Sequence, residues 1–383
     1  MLVLGLGDTG LSVARWVTSQ GGVPRVADTR ARPPRLADYA GELRTGAFDE
    51  ALLEGVALVC VSPGLALDQP LVREALGRGV PIVGDVELFA WHNRGPVLAV
   101  TGTNGKSTVT ALAAHLLRSA GLDAQAAGNI GPPVLAAQMA HAASPPAAWV
   151  LELSSYQLET TWSLAPAAAT VLNLTEDHLD RYACLAHYGQ AKARIFRGAA
   201  LQVVNREDPR ARALAEPGAP QVSFGLDAPP CDDAFGLREG MLVRGREAFL
   251  RVEHLPIHGR HNVANALAAC ALAGALGVPS AALAAGLRSF RGLPHRLQRV
   301  AQRGGVEWYD DSKGTNVGAT VAALEGLGRP AVLILGGEGK GQDFAPLAAP
   351  VARHARAALL IGRDAPLLER ALQGLPTHRC ASL

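Results

Sequence analysis

The 383-residue sequence predicts an α/β protein of three domains, and three observations carry that prediction. Short apolar runs rich in Val, Leu, Ile and Ala alternate with amphipathic stretches of helical period, the pattern of parallel sheets covered by helices. Two glycine-rich loops, GLGDTG and TGTNGKST, each join such a run to a helical stretch. Polar, turn-forming segments break the alternation at WHNRGP and again near Pro294. These breaks divide the chain into residues 1–94, 95–292 and 293–383. The expected architecture is an N-terminal Rossmann-like parallel sheet, a central P-loop-type α/β domain and a C-terminal Rossmann-like domain.

In the first domain LVLGLG, the stretch 11–19 and PRVADTR read as strand, helix and strand, with ALVCVSPG and PIVGD adding later strands. MLVLGLGDTG carries no basic leading region, so it reads as a buried strand and not as a signal peptide. In the second domain PVLAVTG, AAWVLEL, AATVLNL and LQVVN have the density of β-branched and apolar residues that buried parallel strands need. AAWVLEL and AATVLNL are expected to be neighbours. Residues 221–254 read as short strands of an edge or satellite sheet, followed by an alanine-rich helix over 262–276. In the third domain VEWYDD, AVLILGG and AALLIG are strands of one α/β unit, separated by helices over 317–327 and 344–356. A last helix, 365–373, leads to THRCASL, a strand with no helix after it; this domain reads as cut short.

Composition excludes several functions. A net charge of +2 gives no reason to expect nucleic acid or an anionic membrane as partner. No charge-free apolar run reaches the length of a membrane span. The five cysteines, Cys60, Cys184, Cys231, Cys270 and Cys380, are dispersed without a CxxC pair, as in a reducing cytoplasm. Only four of the 36 basic residues are lysines: Lys106, Lys192, Lys313 and Lys340. Where arginine serves nearly everywhere, a remaining lysine marks a position needing a compact ammonium or an amine that can lose its proton.

GLGDTG, with Asp28 closing the next strand, matches the dinucleotide pattern GxGxxG. Its physics is broader, since glycines at a helix N-terminus receive any diphosphate; NAD, a UDP-linked sugar and a merely tight turn all remain open. TGTNGKST lacks the first glycine of the strict phosphate-loop pattern, but Gly102, Gly105, Lys106 and Ser107 keep its parts: backbone N–H groups for phosphates, a lysine for the β/γ oxygens and a hydroxyl for Mg²⁺. This is ATP chemistry, and it makes the central domain P-loop ATPase-type. Glu152 and His178 follow strand ends near that loop, where they can reach a magnesium ion. Mg²⁺ prefers oxygen, so a structural histidine competes with a ligand at His178. Asp177 and Asp180 read as helix N-terminal charges. Lys192, on a helix, can have its pKa lowered by neighbouring cations and could then react with CO₂. Asn262 and Asn265 read by default as helix caps. Asp311, Lys313, Thr315, Asn316 and Lys340 lie in two loops suited to anionic groups.

Together GTNGKST, ELSSYQL, NLTEDHLDRY, PHR, DDSKGTN and GGEGKGQDF resemble the Mur ligase family in order along the whole chain, and DDSKGTN and GGEGKGQDF point to its D-glutamate-adding branch. The resemblance implies an ATP-dependent, amide-forming ligase in peptidoglycan precursor synthesis. Its substrates would be UDP-N-acetylmuramoyl-L-alanine, D-glutamate and ATP, with Mg²⁺, in a cytoplasmic monomer. It implies UDP-substrate contacts from Asp8, Thr9, Asp28, Thr29, Arg30, Ser62, Gly64 and Asn129. ATP would be held by Gly102, Thr103, Asn104, Gly105, Lys106, Ser107, Thr108, Asn265, Arg296 and Asp311. Ser107, Glu152, His178 and Lys192, the last as a carbamate, would bind metal, with Lys106, Glu152, His178 and Lys192 catalytic. Lys313, Thr315 and Lys340 would face D-glutamate. One departure stands out: the family's further helix, strand and serine-containing loop do not appear before Leu383. On that ground D-glutamate coupling is expected to be weak. The rivals are an NAD-dependent oxidoreductase, a folylpolyglutamate synthetase and a non-catalytic nucleotide-binding remnant. The first leaves the phosphate loop and the lysines unexplained, and the second would lack residues 1–94.

Overall fold

The computed structural model describes residues 1–339 and 341–382. In the first domain β1 (Leu2–Leu4), β2 (Arg25–Asp28), β3 (Leu43–Thr45), β4 (Val59–Val61) and β5 (Ile82–Val83) form an all-parallel sheet of order β3-β2-β1-β4-β5. β1 is fully buried at its centre and feeds directly into the helix Asp8–Ser19. β3 is the strand that periodicity does not reveal: Arg44 and Thr45 are exposed, and the edge carries no apolar run.

The middle domain is built on β6 (Val97–Thr101), β7 (Ala124–Gly128), β8 (Ala148–Glu152), β9 (Ala168–Val171), β10 (Gln202–Asn205), β11 (Gln221–Phe224), β12 (Phe235–Arg238), β13 (Met241–Arg244) and β14 (Glu247–Arg251). Their order is β14-β13-β12-β11-β10-β9-β6-β8-β7. The last three in sequence pair antiparallel and extend one edge, as expected for residues 221–254. The expected adjacency of AAWVLEL and AATVLNL is corrected: β6 lies between β8 and β9 and pairs with both. The strand before the phosphate loop is therefore flanked on either side by the strands that deliver Glu152 and the His178 segment. One face of this sheet is covered by the helices Lys106–Ser119 and Arg260–Ala275, and the run from Ala266 to Ala273, mostly alanine, is buried.

In the third domain β15 (Gln298–Arg303) and β16 (Val306–Asp310) form a separate antiparallel ribbon, while β17 (Ala331–Gly336), β18 (Ala355–Ile361) and β19 (Thr377–Arg379) form a parallel sheet. VEWYDD thus belongs to the ribbon and not to the parallel sheet. The reason is local: the Gly304–Gly305 turn returns the chain at once, and a parallel partner would need a crossover.

The domains are packed together. The helix Asp85–His92 of the first domain shares a core with the middle domain, with Phe89 set edge-on to Trp149 at a centroid distance of 5.3 Å. The ring of His261 in the middle domain hydrogen-bonds the Ala322 carbonyl of the third (3.1 Å). Among the described residues no helix is long and apolar enough to cross a membrane.

Candidate active site

The carboxyl ends of the first sheet open on a cavity of ≈ 570 Å³. Asp8, Thr9, Asp28, Thr29, Arg30, Ser62, Gly64 and Asn129 all line it, the last from the middle domain. Asp28 is 1% exposed, and its oxygens accept four hydrogen bonds: from the Leu6 N–H (2.7 Å), the Arg30 N–H (2.9 Å) and Arg30 Nε and Nη2 (2.8 and 2.7 Å). Burial opposes its ionisation, but the Arg30 guanidinium and the two N–H groups bring its pKa down to about 2. A carboxylate offers about four acceptor sites. Asp28 has therefore none left for a ribose hydroxyl, and its part is to hold Arg30 at the cavity wall. Asp8 pairs with Arg35 at the rim.

The phosphate loop, residues 102–105, joins β6 to the helix Lys106–Ser119. Two of the four lysines converge on it. Lys106 Nζ donates to the carbonyls of Gly102 (3.0 Å) and Thr103 (2.9 Å), and Lys192 Nζ donates to the same Gly102 carbonyl (2.9 Å). Lys192 is 1% exposed, on the helix Leu185–Ala193, with Nζ 4.4 Å from the Tyr188 ring centre. Burial pushes Lys106 below the usual lysine range, against the pull of Glu152 and Asp177. It pushes Lys192 well below that range, and the Lys106 charge adds to the shift. Two ammonium groups this close in a dry site favour the neutral form of one.

Glu152 ends β8 and is 2% exposed. Its Oε1 accepts Asn129 Nδ2 (2.6 Å), while Oε2 is buried with no hydrogen-bond partner among the described residues. An orphaned carboxylate oxygen is costly unless something cationic meets it. Beside a triphosphate, Mg²⁺ uses one or two protein carboxylates together with phosphate oxygens and water, so this oxygen fits the ion. Among the described residues no group of three or more His, Cys, Asp and Glu forms a metal cage. His178 has a left-handed backbone (φ 55°), and Tyr156 holds its Nδ1 (2.8 Å) while Nε2 lies 3.8 Å from Asp177.

The other expected residues lie around the same loop or apart from it. Thr103 exchanges hydrogen bonds with the Thr175 backbone, and Asn104 does so with Asn173. Thr108 is buried in the helix that follows. Asn262 and Asn265 do not cap their helix, which starts at Gly259–Arg260; Asn262 Nδ2 donates to the His258 carbonyl and Asn265 Nδ2 to Asn262. Asn265 instead abuts the phosphate loop, where a Cβ on Gly105 would sit 2.5 Å from its Oδ1. Asp177 and Asp180 lie in a loop and not at a helix start, since the next helix begins at Leu185. Asp177 is buried and accepts Asn316 Nδ2 (3.2 Å). From the third domain Arg296 Nη2 donates to Ser107 Oγ (2.8 Å), and Asp311 accepts the Leu297 N–H (2.9 Å). Burial raises the Asp311 pKa. Lys313 and Thr315 are exposed on the neighbouring loop; Lys340 lies outside the described residues. Gln157 is a further candidate that the motifs do not single out: it lines the first-domain cavity, and Ser154-x-x-Gln157 forms a capping box legible in ELSSYQLE.

Comparison with known proteins covers the chain in three parts. Residues 1–84 match the Mur ligase MurD-like N-terminal domain, residues 100–273 the Mur ligase middle domain, and residues 295–382 the Mur ligase glutamate ligase domain. A UDP-N-acetylmuramoylalanine–D-glutamate ligase from Nitrosospira multiformis is 51% identical over 404 aligned residues, which cover all of this chain and 85% of that protein. The protein of the same name from Methylobacillus flagellatus is 53% identical over 97% of this chain and 84% of its own length. Among solved structures, MurF from Acinetobacter baumannii superposes with a TM-score of 0.65 at 19% identity, covering 99% of this chain and 81% of its own. UDP-N-acetylmuramate–alanine ligase MurC from Thermotoga maritima does so with 0.62 at 20% identity, covering 99% and 90%. These two likenesses concern the fold.

Proposed function

The chain belongs to the Mur ligase family, and we propose that its two glycine-rich loops divide the work, the first holding the UDP-linked substrate and the second activating its carboxylate. It is an ATP-dependent ligase that adds D-glutamate to UDP-N-acetylmuramoyl-L-alanine in peptidoglycan precursor synthesis. On this reading the cytoplasm is where it would meet its UDP-linked substrate and ATP.

The observation that carries the division is Asn129. It lines the first-domain cavity, and its amide donates to Glu152, whose other oxygen is orphaned beside the phosphate loop. A UDP-linked substrate lying in the cavity would then extend past Asn129 and bring its terminal carboxylate to the γ-phosphate. That carboxylate oxygen attacks phosphorus as the bond to the β-phosphate oxygen breaks, giving an acyl phosphate and ADP. Lys106, leaving the loop carbonyls for phosphate oxygens, offsets the charge that gathers there. The D-glutamate amine then forms the C–N bond, the C–O bond to phosphate breaks, and the amine gives up its proton. Lys313, Thr315 and Lys340 attract the amino acid's carboxylates, and Arg296, Asn265 and Asp311 border the nucleotide. Ser107, Glu152, His178 and Lys192 would hold Mg²⁺, which when bound supplies charge neutralisation on the phosphates. For Lys192 this requires the neutral amine to add CO₂ and release a proton, giving a carbamate.

The test is ADP release with UDP-N-acetylmuramoyl-L-alanine and each candidate amino acid in turn. D-glutamate should be the amino acid that yields amide together with ADP. Equal turnover with L-alanine or L-lysine would overturn the substrate assignment.

A further inference from the structure

Asn316 sits where three chain segments meet, and the reaction steps above do not use it. It follows Thr315, precedes the helix Val317–Leu327 and is 8% exposed. Its Nδ2 donates to Asn104 Oδ1 (2.9 Å) and to Asp177 Oδ2 (3.2 Å). Its Oδ1 accepts Asn104 Nδ2 (3.2 Å) and the Ala319 N–H (2.8 Å). A carboxamide has two donors and two acceptor sites, and Asn316 fills all four. The two amides thus form a closed reciprocal pair between the phosphate loop and the third domain.

The partner side is equally constrained. The Asn104 N–H donates to Asn173 Oδ1 (2.8 Å), and Asn173 Nδ2 returns to the Asn104 carbonyl (3.0 Å). Asp177 adjoins His178. Gly318 lets the helix start press onto this surface, because a Cβ there would lie 3.1 Å from Thr175 Oγ1 and 3.3 Å from Asn104 Nδ2. A buried network of paired amides fixes one arrangement and penalises departures from it, with Thr175 Oγ1 beside it the atom that has no hydrogen-bond partner among the described residues.

We infer that Asn316 is a positioning residue that couples the state of the phosphate loop to the loop carrying Lys313 and Thr315. Nucleotide on the phosphate loop holds Asn104; Asn104 orients Asn316; Asn316 sets the amino-acid loop that begins beside it. The enzyme thereby assembles its D-glutamate site around a filled ATP site, which limits loss of acyl phosphate to water. This inference rests on the functional reading above.

Asn316 also caps its helix, so a structural role must be separated from the latch. Asn316→Asp keeps the acceptor for the Ala319 N–H, because Asp and Asn cap equally well. It removes the donors and sets a second carboxylate against Asp177. We expect a melting loss clearly smaller than that of Asn316→Ala, which also loses the helix cap, KM for D-glutamate raised about tenfold or more, as for loss of a buried hydrogen-bond pair, and phosphate released in excess of amide. KM for the UDP-linked substrate should not move. Asn104→Ala should show the same split, and the double variant should be no worse than the more severe single one. Wild-type KM and coupling in Asn316→Asp, or fully additive losses in the pair, would overturn the latch. So would a melting loss equal to that of Asn316→Ala with kcat and both KM values changed together. If wild-type enzyme forms no amide in this assay, the functional reading itself falls and takes the latch with it. Wild-type amide with an unaffected variant sinks the latch alone.

Discussion

The two glycine-rich loops share a backbone plan and differ in their charges. Each follows the C-terminal end of an interior strand and leads into a helix, so each turns N–H groups toward an anion. At the first loop the cation is Arg30, half-exposed at 52% and held bidentately by Asp28. At the second, Lys192 is buried and Lys106 half-buried, and both donate to one carbonyl, with Arg296 on Ser107. A solvated guanidinium suits a diphosphate whose charge does not change. A reacting phosphoryl group needs compact charge in a dry, preorganised place. On this reading the loop fold selects the anion, and the surrounding cations select what happens to it.

The largest effect should come from Lys106→Ala, with kcat lower by at least about 10²-fold, the range for loss of one key electrostatic donor. Calorimetric binding of UDP should be unchanged. Wild-type turnover in this variant would break the comparison outright.

Lys192→Ala should also lose activity, and a small added carboxylate such as formate should restore part of it. Lys192→Arg should stay inactive, because it keeps the cation and cannot add CO₂. Full activity in the arginine variant would contradict the carbamate.

At the first loop the effect should be smaller and confined to binding. Arg30→Ala should raise KM for the UDP-linked substrate about tenfold, as for a lost charge-assisted hydrogen bond, with kcat near wild type. Loss of kcat without a change in KM would show that the loops do not divide the work.

The smallest effect concerns the seam between the first two domains. Asp85 is 1% exposed, and neither oxygen has a hydrogen-bond partner of good geometry among the described residues. Burial raises its pKa to about 6, only partly offset by the nearby Val86 N–H and Gln157. Because the folded value lies above the ordinary one, its contribution to stability is fully present below about pH 4 and is lost as pH rises through about 6. Asp85→Asn should therefore raise the melting temperature at pH 8, by about 2–4 °C per kcal/mol recovered, and change little at pH 4. An equal shift at both pH values would contradict this reading.

Much of this molecule is legible in its sequence where burial writes a simple pattern. LVLGLG, PVLAVTG and AAWVLEL are continuous apolar runs because both faces of their strands are covered. AQAAG, which forms β7, has no β-branched residue and sends no such signal. Strand order is a tertiary property, and the insertion of β6 between β8 and β9 leaves no local trace. The scarcity of lysine drew attention to Lys106 and Lys192, which the fold sets on a single carbonyl. Asn316 stands out in DDSKGTN, but its pairing with Asn104 stays hidden because that partner in the phosphate loop lies 212 residues away. Pairing of that kind depends on how two domains meet, which no spacing encodes.

We propose that a substrate held by the first loop has its carboxylate phosphorylated at the second. It is tested most directly with UDP-N-acetylmuramoyl-L-alanine labelled with ¹⁸O in the alanine carboxylate. Attack of that oxygen on the γ-phosphorus, followed by amine displacement, transfers one labelled oxygen to the released phosphate. Mass spectrometry should find phosphate carrying a single ¹⁸O in amounts matching the amide formed. Unlabelled phosphate alongside a full yield of amide would contradict the account.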